Sequence, residues 1–193
     1  MKVGVLALQG DFLEHEKMLN AVGAEAVEVR LPEHLNGLEA LIIPGGESTT
    51  IGKLASKYRL VEPLREFATQ KPVWGTCAGM IFLAKDIGRE QPLLGLMDIK
   101  VNRNAFGRQI NSFEADLDIQ GIEGGPFHAV FIRAPLVTQV DANAGVEVLA
   151  RLDDGGIVAV RQGHLLATAF HPELTSDTRL HEYFLKLATL SVR

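Results

Sequence analysis

The apolar positions fall into two rhythms along the chain. "KVGVLAL" (2–8), "LEALIIPGG" (38–46) and "PVWGT" (72–76) are near-continuous apolar runs. Such runs suit strands buried on both faces. "AEAVEVRL" (24–31) alternates, as a half-buried strand does. Between these runs the spacing lengthens to a helical period. "DFLEHEKMLNAVG" (11–23) sets Phe12, His15, Leu19 and Val22 roughly on one side, and Gly23 is the stop. Two helices are predicted near 48–57 and 61–69, and another over 77–88, ending at Gly88. Strands alternating with helices at this spacing predict an α/β domain with a mostly parallel sheet.

The second half changes character. "DIKVNRN", "SFEADLDI", "HAVFIRA", "VEVLARL", "GIVAVRQ" and "HLLATAF" are short strand candidates separated by turn residues. They predict an antiparallel or mixed extension of the sheet. A last helix near 178–190 brings Leu180, Phe184 and Leu187 onto one face. No repeat, low-complexity tract or linker interrupts the pattern, so residues 1–193 read as one α/β domain, a three-layer sandwich.

Composition narrows the class. The chain has 193 residues, 47% of them hydrophobic, enough for a sizeable core and against disorder. The formal net charge is −5, and no Lys or Arg run stands out. That argues against nucleic acid as the main partner. A single cysteine cannot form an internal disulfide, which points to a reducing compartment. The N-terminal apolar run is too short for a signal segment, and no stretch approaches the ~20 apolar residues that span a bilayer. The expectation is a cytoplasmic protein with no membrane partner.

That cysteine is Cys77, in "GTCAG" (75–79). The form is G-x-C-x-G, parallel to the G-x-S-x-G elbow that holds a nucleophile on a tight strand-to-helix turn. The flanking glycines let the backbone crowd together. The sulfur would project above the carboxyl ends of the strands, where open α/β sheets bind ligands. A helix N-terminus there favours a thiolate, and the Ala78 N–H would face a developing oxyanion. A small, inert, buried cysteine would also fit.

A nucleophile needs a base, and "ATAFHPEL" (167–174) supplies one. An apolar strand ends at His171, and Pro172 biases that residue to an extended conformation. Residues i and i+2 of an extended segment share a side, so Glu173 lies beside the His171 ring. Cys77, His171 and Glu173 are then nucleophile, base and orienter. His15 and His181 read as helix-surface or helix-packing residues, and His34, His128 and His164 as turn residues. No histidine shows metal-ligand spacing, and no metal or cofactor is called for.

"PGGESTTIGK" (44–53) fails as a phosphate loop, because Gly46 to Gly52 is one residue too long and Leu54 follows Lys53. Its use as a backbone donor fits better. A peptide N–H near Gly46 would be a second oxyanion donor beside that of Ala78. "ESTT" reads as a helix N-cap region.

These motifs carry a resemblance. "GTCAG" with "FHPE" resembles the class I, triad-type glutamine amidotransferases. "LALQGDF", "LIIPGGESTT", "VWGTCAGM", "NRNAFGRQINSFEADL", "VFIRAP" and "ATAFHPEL" together resemble the glutaminase subunits of pyridoxal 5′-phosphate synthase, from residue 6 to residue 174. The resemblance implies hydrolysis of L-glutamine to L-glutamate and ammonia through a γ-glutamyl thioester on Cys77. It implies delivery of ammonia to a synthase subunit, within a large hetero-oligomer. That partner makes pyridoxal 5′-phosphate from ribose 5-phosphate and glyceraldehyde 3-phosphate. It assigns Gly46, Glu47, Ser48, Arg103, Ile132 and Arg133 to glutamine binding, and Gln9 to the neighbourhood of the oxyanion loop and partner interface. Arg108 and the N-terminal helix are candidates for the interface. The mobile-looking Gly45–Gly46 pair implies a poor glutaminase until the partner orders it.

Rival readings are a redox sensor built on Cys77 and an inactive scaffold of the same fold. A cysteine version of an α/β-hydrolase fails on chain order, because there the acid precedes the histidine.

Overall fold

The computed structural model describes residues 1–103, 105–106 and 112–190. The first half reads β1 (Lys2–Leu6), α1 (Phe12–Ala21), β2 (Glu25–Val29), β3 (Ala40–Ile43), α2 (Ser48–Lys57), α3 (Val61–Gln70), β4 (Val73–Thr76) and α4 (Ala78–Leu83). The second reads β5 (Ala84–Asp86), β6 (Met97–Asn102), β7 (Ser112–Leu117), β8 (Phe127–Ile132), β9 (Leu136–Val140), β10 (Val146–Arg151), β11 (Ile157–Gln162), β12 (Leu165–Thr168) and α5 (Arg179–Leu190).

The continuous apolar runs become the central strands. Every residue of β3, β4 and β12 is buried. They lie in the parallel order β2-β1-β3-β4-β12. Among the described residues β2 pairs with β1 alone, and as an edge strand it keeps Glu25 and Glu28 in water. α1 packs against β1 and β2, and α4 against β3, β4 and β12. Trp74 of β4 is fully buried, its indole N–H donating to Thr168 Oγ1 of β12 at 3.1 Å. Burying a side chain of that size contributes on the order of 2–3 kcal/mol.

Beyond β12 the sheet turns antiparallel through β11, β9 and β6, with β10 on β11 and β5 parallel to β6. This is the mixed extension expected from the sequence, with three differences. β7 and β8 leave it and form their own two-stranded ribbon, pinned by Phe113 stacked on its cross-strand partner Phe131 at 4.4 Å. β9 was not among the sequence's strand candidates, because only Val137 of its five residues is buried and the segment follows Pro135. The helix predicted over 77–88 stops at Leu83. Ala84 is extended, and the N–H groups of Leu94 and Leu96 take the carbonyls of Phe82 and Leu83. Lys85 and Asp86 instead pair with Asp98 and Lys100 across β5 and β6.

β12 decides the site. It comes from the end of the chain yet lies beside β4, in a register that sets Thr168 against Thr76. Cys77 follows one strand and His171 lies just past the other, so both reach the same sheet edge.

Candidate active site

The backbone of Cys77 stands at φ 48° and ψ −105°. A β-carbon-bearing residue at positive φ costs about 1–3 kcal/mol, so its surroundings must impose it. The Cys77 N–H is tied to Thr168 O at 2.8 Å. The flanking glycines are sterically required. A β-carbon on Gly75 would lie 2.4 Å from Gly79 O, and one on Gly79 would lie 2.1 Å from Ile43 O. The thiol donates toward Ile132 O at 3.7 Å and is only 6% exposed. Ala78 opens α4, so its N–H belongs to the first turn that a helix leaves unpaired.

His171 and Glu173 meet by a route other than the one read from the sequence. Residues Pro172–Leu174 form a 3₁₀ turn, not an extended strand, and His171 sits before it at φ −106° and ψ 86°. Pro172 opens the turn, where its missing N–H costs nothing. The turn folds Glu173 back, leaving Oε1 2.6 Å from His171 Nδ1. The His171 N–H is anchored on Val130 O at 2.8 Å. Both side chains are buried. Burial alone would lower the ring's pKa. Its hydrogen bonds and charge interactions with Cys77 and Glu173 override that and raise it to about 10. Burial raises the Glu173 carboxyl above its ordinary value, and His171 opposes the rise.

The glycine loop closes the other wall. Gly46 has φ 150°, and a β-carbon there would meet Gln9 Oε1 at 2.6 Å. The same Gln9 oxygen accepts the Glu47 N–H at 2.7 Å. Glu47 is the N-cap of α2, accepting from the N–H groups of Thr49 at 3.1 Å and Thr50 at 2.7 Å. Burial pushes the Glu47 carboxyl up, but its bonds with Thr50 and Thr49 win and hold it at about 2. Arg103 reaches back to this loop, donating to Glu47 Oε1 and to Gln91 Oε1, each at 3.1 Å. Gln91 Nε2 in turn donates to Ser48 Oγ at 3.3 Å. Arg133, next to Ile132, is held at φ 45°.

These walls enclose a cleft of about 510 Å³. It is lined by Gly46, Glu47, Ser48, Cys77, Ala78, Arg103, Ile132, Arg133 and His171, with Glu173 behind His171. Every site residue named from the sequence therefore converges here. A hollow of similar size near Pro32, Leu35, Phe67 and Lys71 has no cysteine, serine, threonine or histidine among its lining residues. Gln9 and Leu174 also line the cleft, as does Asp11, whose Oδ2 is 3.5 Å from His171 Nδ1. Asp11, His171 and Glu173 offer ligand atoms within 4.8 Å of one another. Two of those atoms are already bonded together, which makes the group a hydrogen-bonded pair. Gln91 and Asp11 were not legible as site residues, because their contacts join segments far apart in sequence. Arg108 lies outside the described residues.

The sequence and the fold have relatives among known proteins. A pyridoxal 5′-phosphate synthase subunit PdxT from Herpetosiphon aurantiacus is 62% identical over 192 residues, covering 97% of this chain and 100% of that protein. One of the same name from Pelotomaculum thermopropionicum is 62% identical over 188 residues, covering 96% of this chain and 94% of that one. A crystal structure of a glutamine amidotransferase superposes with a TM-score of 0.91 at 57% identity, covering 97% and 98% of the two chains. A putative GMP synthase subunit from Thermoplasma acidophilum, at 15% identity and a TM-score of 0.71 over 98% of this chain and 94% of that one, shares the fold alone. The SNO glutamine amidotransferase family matches residues 5–189, a span holding both the cysteine elbow and the histidine–carboxylate turn, and the chain belongs to that family.

Proposed function

We propose that this chain, as a single catalytic domain, is the glutaminase subunit of a pyridoxal 5′-phosphate synthase, with Cys77, His171 and Glu173 as its catalytic triad. The observation that carries the reading is the His171–Glu173 bond of 2.6 Å beside a cysteine forced to positive φ in one cleft. Glutamine enters with its α-carboxylate toward Arg103, whose guanidinium suits a planar anion. Gly46, Glu47, Ser48, Ile132 and Arg133 line its path.

The Cys77 thiolate attacks the γ-amide carbon. The carbonyl electrons move onto oxygen, which the N–H groups of Ala78 and Gly46 receive. His171 is held at about 10, so at neutral pH its ring carries the proton that the departing amine needs. Ammonia leaves, and a thioester remains on Sγ. His171, now neutral, takes a proton from water as the water attacks the thioester carbon. Glutamate departs and the thiolate and protonated ring are restored. Glu173 keeps Nδ1 protonated throughout, which leaves the other ring nitrogen to the thiol and the leaving group.

The ammonia passes to the synthase partner, in a large hetero-oligomer. The free thiol suits a reducing, cytoplasmic setting. Among the described residues, no helix is long and apolar enough to cross a membrane. The buried Cys77 speaks against the sensor reading, which needs an exposed thiol.

The test is glutamate release from L-glutamine, with and without a cognate synthase subunit. Cys77→Ala should reduce release by at least about 10³-fold while leaving partner binding intact. Ammonium salts should then restore pyridoxal phosphate synthesis by the complex. Release that survives Cys77→Ala would sink the assignment. Full release by the isolated chain would sink the idea that the partner orders the Gly45–Gly46 loop.

A further inference from the structure

Behind Glu173 runs a chain of buried polar groups that the reaction above does not use. His15 of α1 and His181 of α5 are both fully buried. His15 Nδ1 lies 3.0 Å from His181 Nε2. On its other side, His15 Nε2 lies 3.2 Å from Thr76 Oγ1 and 3.3 Å from Glu173 Oε2. Trp74 packs edge-on against both rings. Glu173 Oε1 is committed to His171, whereas Oε2 makes no aligned hydrogen bond among the described residues and has His15 Nε2 beside it at 3.3 Å.

The proton positions follow from what each alternative leaves unpaired. If His15 carried its proton on Nδ1, its bare Nε2 could accept from the Thr76 hydroxyl at 3.2 Å but would still face a carboxylate oxygen at 3.3 Å, lone pair to lone pair. His181 would then hold its own proton on Nδ1, a buried atom with no partner. The opposite arrangement leaves one bare nitrogen, His181 Nδ1, unpaired, and a bare acceptor is the cheaper orphan. His181 Nε2–H then donates to His15 Nδ1, and His15 Nε2–H faces both Glu173 Oε2 and Thr76 Oγ1.

We infer that His15 is a positioning residue for the glutaminase reaction, its Nε2–H fixing Glu173 so that Oε1 stays on His171 Nδ1. The inference rests on reading Cys77, His171 and Glu173 as the triad. The surrounding charges agree with it. Glu173 faces His171 from its own turn, Asp11 from the segment before α1, and His15 from α1. His15 faces His181 from α5, and its pKa is held well below the usual value by burial, by His181 and by His171. A neutral ring donates to the carboxylate without competing with His171 for its charge.

Two measurements test this. In 15N-histidine-labelled protein at pH 7, proton–nitrogen correlation spectra should show His15 as the neutral Nε2–H tautomer. An Nδ1–H or doubly protonated ring would overturn the inference. In glutamate-release assays with saturating synthase subunit, His15→Leu should lower kcat about tenfold, with KM for glutamine within about twofold. It should also move the acidic limb of the kcat profile to higher pH, because Glu173 loses a donor. His15→Gln places an amide N–H near the Nε2 position and should restore both. A loss of kcat with an unmoved limb, or no recovery with Gln, would mean packing alone and overturn the proposal. If wild type releases no glutamate, the triad reading itself fails. An active wild type with an unaltered His15→Leu profile defeats only this inference. Should His15→Leu fail to fold, the His15→Gln profile and the wild-type tautomer still decide.

Discussion

His171 and His128 each hold a ring nitrogen close to a carboxylate. At His171 the distance to Glu173 is 2.6 Å, and at His128 the distances to Asp116 and Glu114 are 2.8 and 3.0 Å. Both rings have raised pKa values. What separates them is solvent. The His171 and Glu173 side chains are 5% and 0% exposed, whereas His128 on the β7–β8 ribbon is 53% exposed. Water screens the ribbon cluster, while the low-dielectric interior strengthens every interaction of the triad. The second difference is occupancy. His128 bonds a carboxylate at each nitrogen, so neither is left for a substrate proton. His171 spends only Nδ1 on a carboxylate. Short contacts alone therefore do not mark a candidate site; burial and a ring nitrogen left for the thiol do.

The comparison can be broken from either end. The largest effect should come from Glu173→Gln, which leaves His171 an amide in place of its carboxylate. We expect kcat for partner-stimulated glutamate release to fall roughly 10²–10⁴-fold, with the protein still folded. A fall under about threefold would put His171 and His128 on the same footing. Next is Gly79→Ala, whose new methyl meets Ile43 O. The clash is with backbone, so the native state should lose on the order of 3 kcal/mol, read as a lower urea midpoint with an unchanged slope.

Acid sensitivity should be smaller over any single pH unit. His181 is lowered to about 3 by burial, against about 6.5 when unfolded. Between those values the unfolded chain binds a proton that the native chain refuses. Stability is thus full above about pH 6.5 and falls as pH drops toward 3, by up to about 1.4 kcal/mol per pH unit for this one group. His15, also lowered, adds in the same direction. His181→Phe should flatten the slope of Tm against pH in that window, and an unchanged slope would contradict buried neutrality. Smallest of all is His128→Ala, which should leave kcat within about twofold. A larger loss would give the ribbon a role that its exposure argues against.

Much of this is legible in the amino-acid sequence. The apolar runs of β3 and β4 and the G-x-C-x-G spacing are local signals, because burial on both faces and backbone crowding act within a few residues. The proposed triad was legible as residues but not as geometry. Period-two reasoning put Glu173 beside His171, and a 3₁₀ turn does so in fact. His15 read as helix packing because its partners stand on β4, on the 3₁₀ turn and on α5. α4 read too long because nothing in "KDIG" reveals that Lys85 and Asp86 pair with β6.

The sequence by itself determined the alternation of strand and helix, the strained elbow at Cys77, and the identities of His171 and Glu173. Tertiary structure alone decided that β12 lies beside β4, that Arg103 is clamped by Glu47 and Gln91, and that His15 and His181 meet behind Glu173. The reason is range. Dihedral preference and steric crowding are properties of neighbours in sequence, and they leave a periodic trace. Strand order and helix docking are set by the summed burial of the whole core, which leaves no trace at any single position.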